Sequence, residues 1–133
     1  MIHTMSDDRT SREPTIDVRS PQPQAVLVVL GGEHDLSSAE ALRQTFEQSF
    51  GNCDHLIVDL SAVEFIDSTT IRVLMETRGH AMERDRKLSV VLGTAPIVER
   101  VLEISGILKL MNVVPTVERA LAGSVDASPA RSV

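Results

Sequence analysis

Three short apolar runs, residues 25–30, 55–60 and 88–92, most constrain what this chain can fold into. Each is too short for a packed helix and the right length for a buried strand. The first, Ala25-Val26-Leu27-Val28-Val29-Leu30, is continuous and rich in β-branched side chains, as a strand covered on both faces requires. Between the runs the period changes. Ala39, Leu42, Phe46 and Phe50 follow the first run at helical spacing; Ile71, Leu74 and Met75 follow the second; Ile97, Val98, Val101, Leu102 and Ile104 follow the third. Strands that alternate with helices pair in parallel through crossovers.

The remaining segments complete the pattern. Thr15-Ile16-Asp17-Val18-Arg19 alternates polar and apolar, which predicts a half-buried edge strand. Residues 20–24 hold two prolines and read as a turn, so this strand and the next form an antiparallel hairpin at the sheet edge. Gly31-Gly32 is expected to end the first buried strand. Ser37 and Glu40 have the spacing of a capping box, and Gly51-Asn52 that of a stop. Arg72 and Glu76 stand at i, i+4 on the outer face of the second helix. Pro96 suits the start of the third helix, Gly106 its end, residues 108–114 a final strand, and Thr116 the cap of a closing helix through Ala122. The expected fold is one α/β domain over residues 15–122. It has a mostly parallel sheet of four to five strands, about four helices and the first strand antiparallel at the edge. Residues 1–14 and 123–133 read as disordered tails.

Composition excludes several function classes. The net charge is −6, with three Phe and no Tyr or Trp among 133 residues. An acidic chain without stacking side chains is a poor nucleic-acid binder. The single cysteine, Cys53, leaves no intrachain disulfide. No apolar run is long enough for direct membrane insertion, and residues 1–13 lack the apolar core of a signal peptide, so the cytoplasm is the expected location. His3, His34, His55 and His80 lack the spacing of a metal site. Three of them are expected in turns or tails. His34 falls in a loop bordering the candidate site, where solvent exposure is expected. Neither a nucleophile elbow nor a phosphate-binding loop is present. No catalytic residue, cofactor or metal is therefore assigned, and the chain reads as a binding module rather than an enzyme.

The chemistry concentrates in Asp67-Ser68-Thr69-Thr70, between the second apolar run and the helix after it. These residue types cap helix starts, so Ser68 is either a cap or an exposed site. The longer stretch Asp59-Leu60-Ser61-Ala62-Val63-Glu64-Phe65-Ile66-Asp67-Ser68 resembles the signature of STAS domains, specifically of bacterial anti-sigma factor antagonists. Gly31-Gly32-Glu33-His34-Asp35-Leu36 is similar to the family's Gly-Glu-x-Asp turn. Val101-Leu102-Glu103-Ile104-Ser105-Gly106-Ile107 is similar to its later helix stop. The resemblance runs from about residue 15 to 122. It implies that an anti-sigma factor with serine kinase activity binds here and phosphorylates Ser68, with Thr69 as second acceptor. Phosphorylation would block binding, and a phosphatase would reset the switch. The partner-binding set it implies is Asp35, Asp67, Ser68, Thr69, Thr70, Ile71 and Arg72. The family pattern places glycine where this chain has Thr70, and leucine where it has Ile71. A scaffold STAS domain in a sensory or membrane-transport complex, not phosphorylated, is the alternative.

Overall fold

The strands lie in the sheet in the order in which they occur in the chain. The computed structural model describes residues 13–93 and 96–123, except the side chain of residue 97; the tail ends expected at residues 1–12 and 124–133 lie outside this range. Five strands, β1 (Thr15–Gln22), β2 (Ala25–His34), β3 (His55–Ile66), β4 (Lys87–Val91) and β5 (Asn112–Val114), form one sheet in the order β1-β2-β3-β4-β5. β1 pairs antiparallel with β2, and every later pair is parallel. The helices are α1 (Leu36–Phe50), α2 (Ser68–Glu83), α3 (Pro96–Ile104), the one-turn α4 (Ile107–Leu110) and α5, residues 117–123.

The apolar runs are strands because their alternate side chains feed two layers. Val26, Val28, Leu30, Leu56, Val58, Leu60 and Val90 bury against Leu42, Phe46, Val73, Leu74, Val98 and Leu102 of α1, α2 and α3. Leu27, Ile57 and Val91 point the other way, onto Ala120 and the half-buried Val117 and Leu121 of α5. That second face also holds polar groups. His55 Nε2 lies 2.7 Å from Ser89 Oγ, which accepts from Asn112 Nδ2 at 2.8 Å, and both His55 and Ser89 are buried. This row ties β3, β4 and β5 together.

Several expectations are corrected. The glycine pair does not end β2. Gly32 takes a φ of 76°, and register shifts at Val29/Gly31 and Gly32/Glu33 carry the strand on to His34. Gly31 lies close to β1: a Cβ there would lie 2.6 Å from Thr15 Oγ1, so any larger residue would have to push that side chain aside. The stretch expected to be a strand from residue 108 breaks in two, because Gly106, at a φ of 81°, opens the short α4 before β5 begins at Asn112. Arg72 and Glu76 do not pair; Glu76 instead accepts from Arg43 of α1 at 3.0 Å, which locks α1 to α2. His34 and His55 lie buried in β2 and β3, and His80 sits inside α2, so turns and tails are not where the described histidines are. His3 lies outside the described residues. Thr116 does cap α5, its Oγ1 accepting from Arg119 N at 3.1 Å.

Candidate functional site

The site lies at the carboxyl ends of β2 and β3, the end of a parallel sheet where loops and helix starts converge. The two strands are paired to their last residues, Glu33 with Phe65 and His34 with Ile66. One further bond, Asp67 N to His34 O at 3.2 Å, holds the chains together as they leave the sheet. From there α1 and α2 begin side by side, so the first turns of two long helices are held next to each other.

Both helices are capped by an aspartate. Asp35 is the N-cap of α1: its Oδ1 accepts from Ser37 N at 2.9 Å and from Ser37 Oγ at 2.6 Å. These bonds hold its carboxyl below the usual carboxylate range, the Ser37 hydroxyl contributing most. The expected Ser37–Glu40 capping box does not form: Asp35, two residues earlier, is the cap, and Glu40 meets Arg43 instead. Asp67 is the N-cap of α2, its Oδ1 accepting from Thr70 N at 3.0 Å.

That assignment rules out the capping role for Ser68. It is not the cap. It is the first residue of α2, it is exposed, and its Oγ has no hydrogen-bond partner among the described residues. Thr69 is half-buried and follows it on the same turn.

Thr70 faces the other way. Its side chain is fully buried, and its Oγ1 donates to His34 O at 3.0 Å, with Asp67 Oδ1 at 3.3 Å. The branched side chain that replaces the family glycine therefore points into the domain, and a protein docked outside does not meet it. Ile71 is half-buried against the main core, and Arg72 is exposed with no ion pair among the described residues. Of the seven residues in the expected partner-binding set, Asp35, Asp67, Ser68, Thr69 and Arg72 present surface at this end. Thr70 and Ile71 serve mainly to seat the helix.

His34, expected at the surface, is instead the pivot beneath the site. Its carbonyl holds Asp67 and Thr70 of α2, while its Nδ1 lies 3.0 Å from Ser38 Oγ in the first turn of α1. Burial pushes its pKa below the ordinary histidine value. Two surface residues escaped the sequence reading. Leu36 and Phe65 are 74% and 42% exposed and border the same strand ends. Alternation from the buried Val63 would turn Phe65 inward, yet Val63 and Ile66 are the buried pair, and Leu36 was hidden inside the turn motif.

The clasp at Thr70 can be tested directly. Replacing Thr70 with valine keeps the shape and removes the hydroxyl, and is expected to lower stability by about 1–2 kcal/mol. Serine at the same position should recover most of the loss. Urea titration of the three proteins checks this; equal midpoints for valine and wild type would remove the clasp.

No group of three or more His, Cys, Asp and Glu side chains could hold a metal ion among the described residues. No described helix is long and apolar enough to cross a membrane.

Comparison with known proteins converges on one family. The STAS domain family model matches residues 17–120. The chain is 33% identical over 110 residues to the anti-sigma-F factor antagonist RsfB of Mycobacterium tuberculosis, covering 82% of this chain and 88% of that protein. Its structure is similar to that of an anti-sigma factor antagonist from Mycobacterium paratuberculosis, with a TM-score of 0.75 and 27% identity over 84% of this chain and 94% of the other. The unphosphorylated form of the anti-sigma factor antagonist SpoIIAA shares the fold at a TM-score of 0.70, with 20% identity over 84% and 97% of the two chains.

Proposed function

The chain belongs to the STAS domain family, among the relatives of anti-sigma factor antagonists, and from that membership we propose that it binds an anti-sigma factor and is switched off by phosphorylation of Ser68. One observation carries the switch. Asp67 performs the capping task, so the Ser68 hydroxyl is left exposed and without a partner among the described residues at the mouth of α2.

The chemistry suits the place. A kinase on the anti-sigma factor transfers the γ-phosphoryl group of ATP to Ser68 Oγ. The bond to the β-phosphate breaks, the hydroxyl proton passes to a base on the kinase, and ADP leaves. The product carries about −1.5 to −2 charges. The start of a long helix tolerates such a group, because its dipole and free N–H groups favour anions. The domain thus has no reason to refold, and the effect falls on docking alone. A phosphatase resets the hydroxyl. In this scheme the chain is a substrate and a ligand, not an enzyme, and it acts in the cytoplasm.

Threonine in place of the family glycine adds weight to the scaffold alternative. The burial of Thr70 supports the switch reading instead, because its branched side chain points into the domain and away from a docked partner.

Incubation with ATP and each anti-sigma factor kinase of the source organism tests the proposal. The expected result is a gain in mass of one phosphate group, mapped to Ser68 and absent in Ser68→Ala. A kinase that binds the protein yet leaves Ser68 unmodified would count decisively against the switch.

A further inference from the structure

We infer that the protein forms a symmetric dimer in which β1 pairs antiparallel with β1 of a second copy, joining the two sheets into one continuous sheet. The inference goes beyond the proposed function and concerns a different surface.

The edge itself selects the occupant. β1 is the first strand of the sheet, and among the described residues no strand pairs with its outer side. Such an edge offers a row of N–H and C=O groups to any matching strand. β2 holds residues Thr15 to Arg19 in regular register, so the backbone already has the extended form that a further strand requires.

The side chains of β1 alternate between the faces of the sheet. Ile16 packs on the main core, and Val18 and Ser20 face α1 beside it. Asp17 and Arg19 point the other way, where they form an ion pair of 2.7 Å and stay more than half exposed. A twofold axis through Val18 places Asp17 of each copy opposite Arg19 of the other, and Val18 opposite Val18. Antiparallel pairing keeps the outward backbone groups in step only when the register moves by two residues at a time. The neighbouring registers oppose Asp17 with Asp17 or Arg19 with Arg19, and like charges directly opposite are destabilising. The charges therefore pick one register, and it is self-complementary, as a closed dimer demands. Charges on an edge strand guard it against pairing when no register matches them; here one does. The paired segment is short. The register with β2 shifts between Arg19 and Gln22, and Pro21 has no N–H to donate, so it runs from Ile16 to Ser20.

The apolar contact falls on the axis. Val18 is 52% exposed although it lies on the helix side of the sheet. Beside it is a groove of about 310 Å³ between β1 and α1, lined by Val18, Val26, Thr45, Gln48 and Ser49. The dimer joins the two grooves and covers both copies of Val18. The pairing runs along the side of the sheet, with β2 between it and β3, and not across the strand ends where Ser68 sits.

Sedimentation equilibrium of the full chain tests the dimer. The wild type is expected to be a weak dimer whose fraction rises with concentration. Asp17→Arg and Arg19→Asp should each weaken it at least about tenfold, because each places like charges opposite one another twice in the symmetric pair. Mixed in equal amounts, the two variants should associate about as well as the wild type, since every arginine of one then opposes an aspartate of the other. Recovery on mixing also shows that neither variant is merely misfolded. A wild type that stays monomeric at every accessible concentration overturns the proposal. So does a dimer that both single variants retain at full strength, or a loss in both that mixing does not restore. None of these measurements uses an anti-sigma factor, so failure here leaves the proposed function standing.

Discussion

Lowering the pH from 7 to 4 is expected to reduce the unfolding free energy by about 3 kcal/mol through His55 alone. His55 is buried at the start of β3 and its pKa is pushed from 6.5 to about 4, first by burial and then by the Lys87 ammonium beside it. Its Nε2 is taken by Ser89, and its Nδ1 has no partner among the described residues. Protonation would therefore place a second positive charge near Lys87, with no carboxylate paired to the ring among the described residues. The unfolded chain takes the proton near pH 6.5, the folded chain near 4. Stability is fully present above 6.5, is lost as pH falls through this interval, and levels off below about 4. His34, also shifted down by burial, acts in the same direction. Asp35, whose carboxyl titrates below its usual range, contributes only in the more acid part. The decline between pH 6.5 and 5 thus belongs mainly to the histidines. Urea denaturation across this range should show the decline, and His55→Leu should shrink it. A wild-type profile flat from pH 7 to 5 would mean that the ring is hydrated or already charged in the folded protein.

The same histidine shows where sequence reading loses its grip. Apolar runs declared β2, β3 and β4 because alternate side chains feed two layers, and that signal needs no tertiary knowledge. His55 opens such a run, yet a histidine looks the same in a sequence whether it meets water or Ser89. Its partner lies 34 positions away, and only the parallel register of β3 with β4 brings them together. The end of β2 failed for a related reason. Two glycines usually terminate a strand; here they permit bulges, and β3 supplies the hydrogen bonds that extend pairing to His34. The expected strand over residues 108–114 failed because Gly106, in a left-handed conformation, opens a helical turn that absorbs Ile107 to Leu110.

At the site, position was legible and orientation was not. The sequence placed Ser68 at a helix mouth, but could not say whether Asp67 or Ser68 was the cap, since both residue types serve. The answer depends on which oxygen reaches Thr70 N, and it is the one from Asp67. Thr70 looked like an obstacle because it replaces glycine in the family pattern. Its environment turns on His34, 36 positions earlier, whose carbonyl waits for its hydroxyl. Leu36 could not be told from a core leucine without knowing that α1 turns its first residue outward.

Ser68→Asp is expected to weaken binding to the anti-sigma factor by at least about 30-fold while leaving the domain as stable as before. The two halves of that prediction come from the same position in opposite settings. In the isolated domain, a carboxylate at the first residue of α2 sits near the positive end of a helix dipole and is mildly favourable. In the proposed complex the same carboxylate enters a surface from which the docked partner excludes water. An unpaired charge buried at an interface costs roughly 2–5 kcal/mol, and each 1.4 kcal/mol is about tenfold in affinity. Aspartate carries one charge where phosphate carries about −1.5 to −2, so the variant should lie toward the lower end of that range and the phosphoprotein above it. Ser68→Ala removes the acceptor without adding charge and should bind as tightly as wild type while resisting the kinase. Parallel measurement of affinity and melting temperature separates a switch from a damaged fold. Loss of binding at unchanged stability is what a docking switch requires. An aspartate variant that binds like wild type would show that the partner touches some other face of the domain.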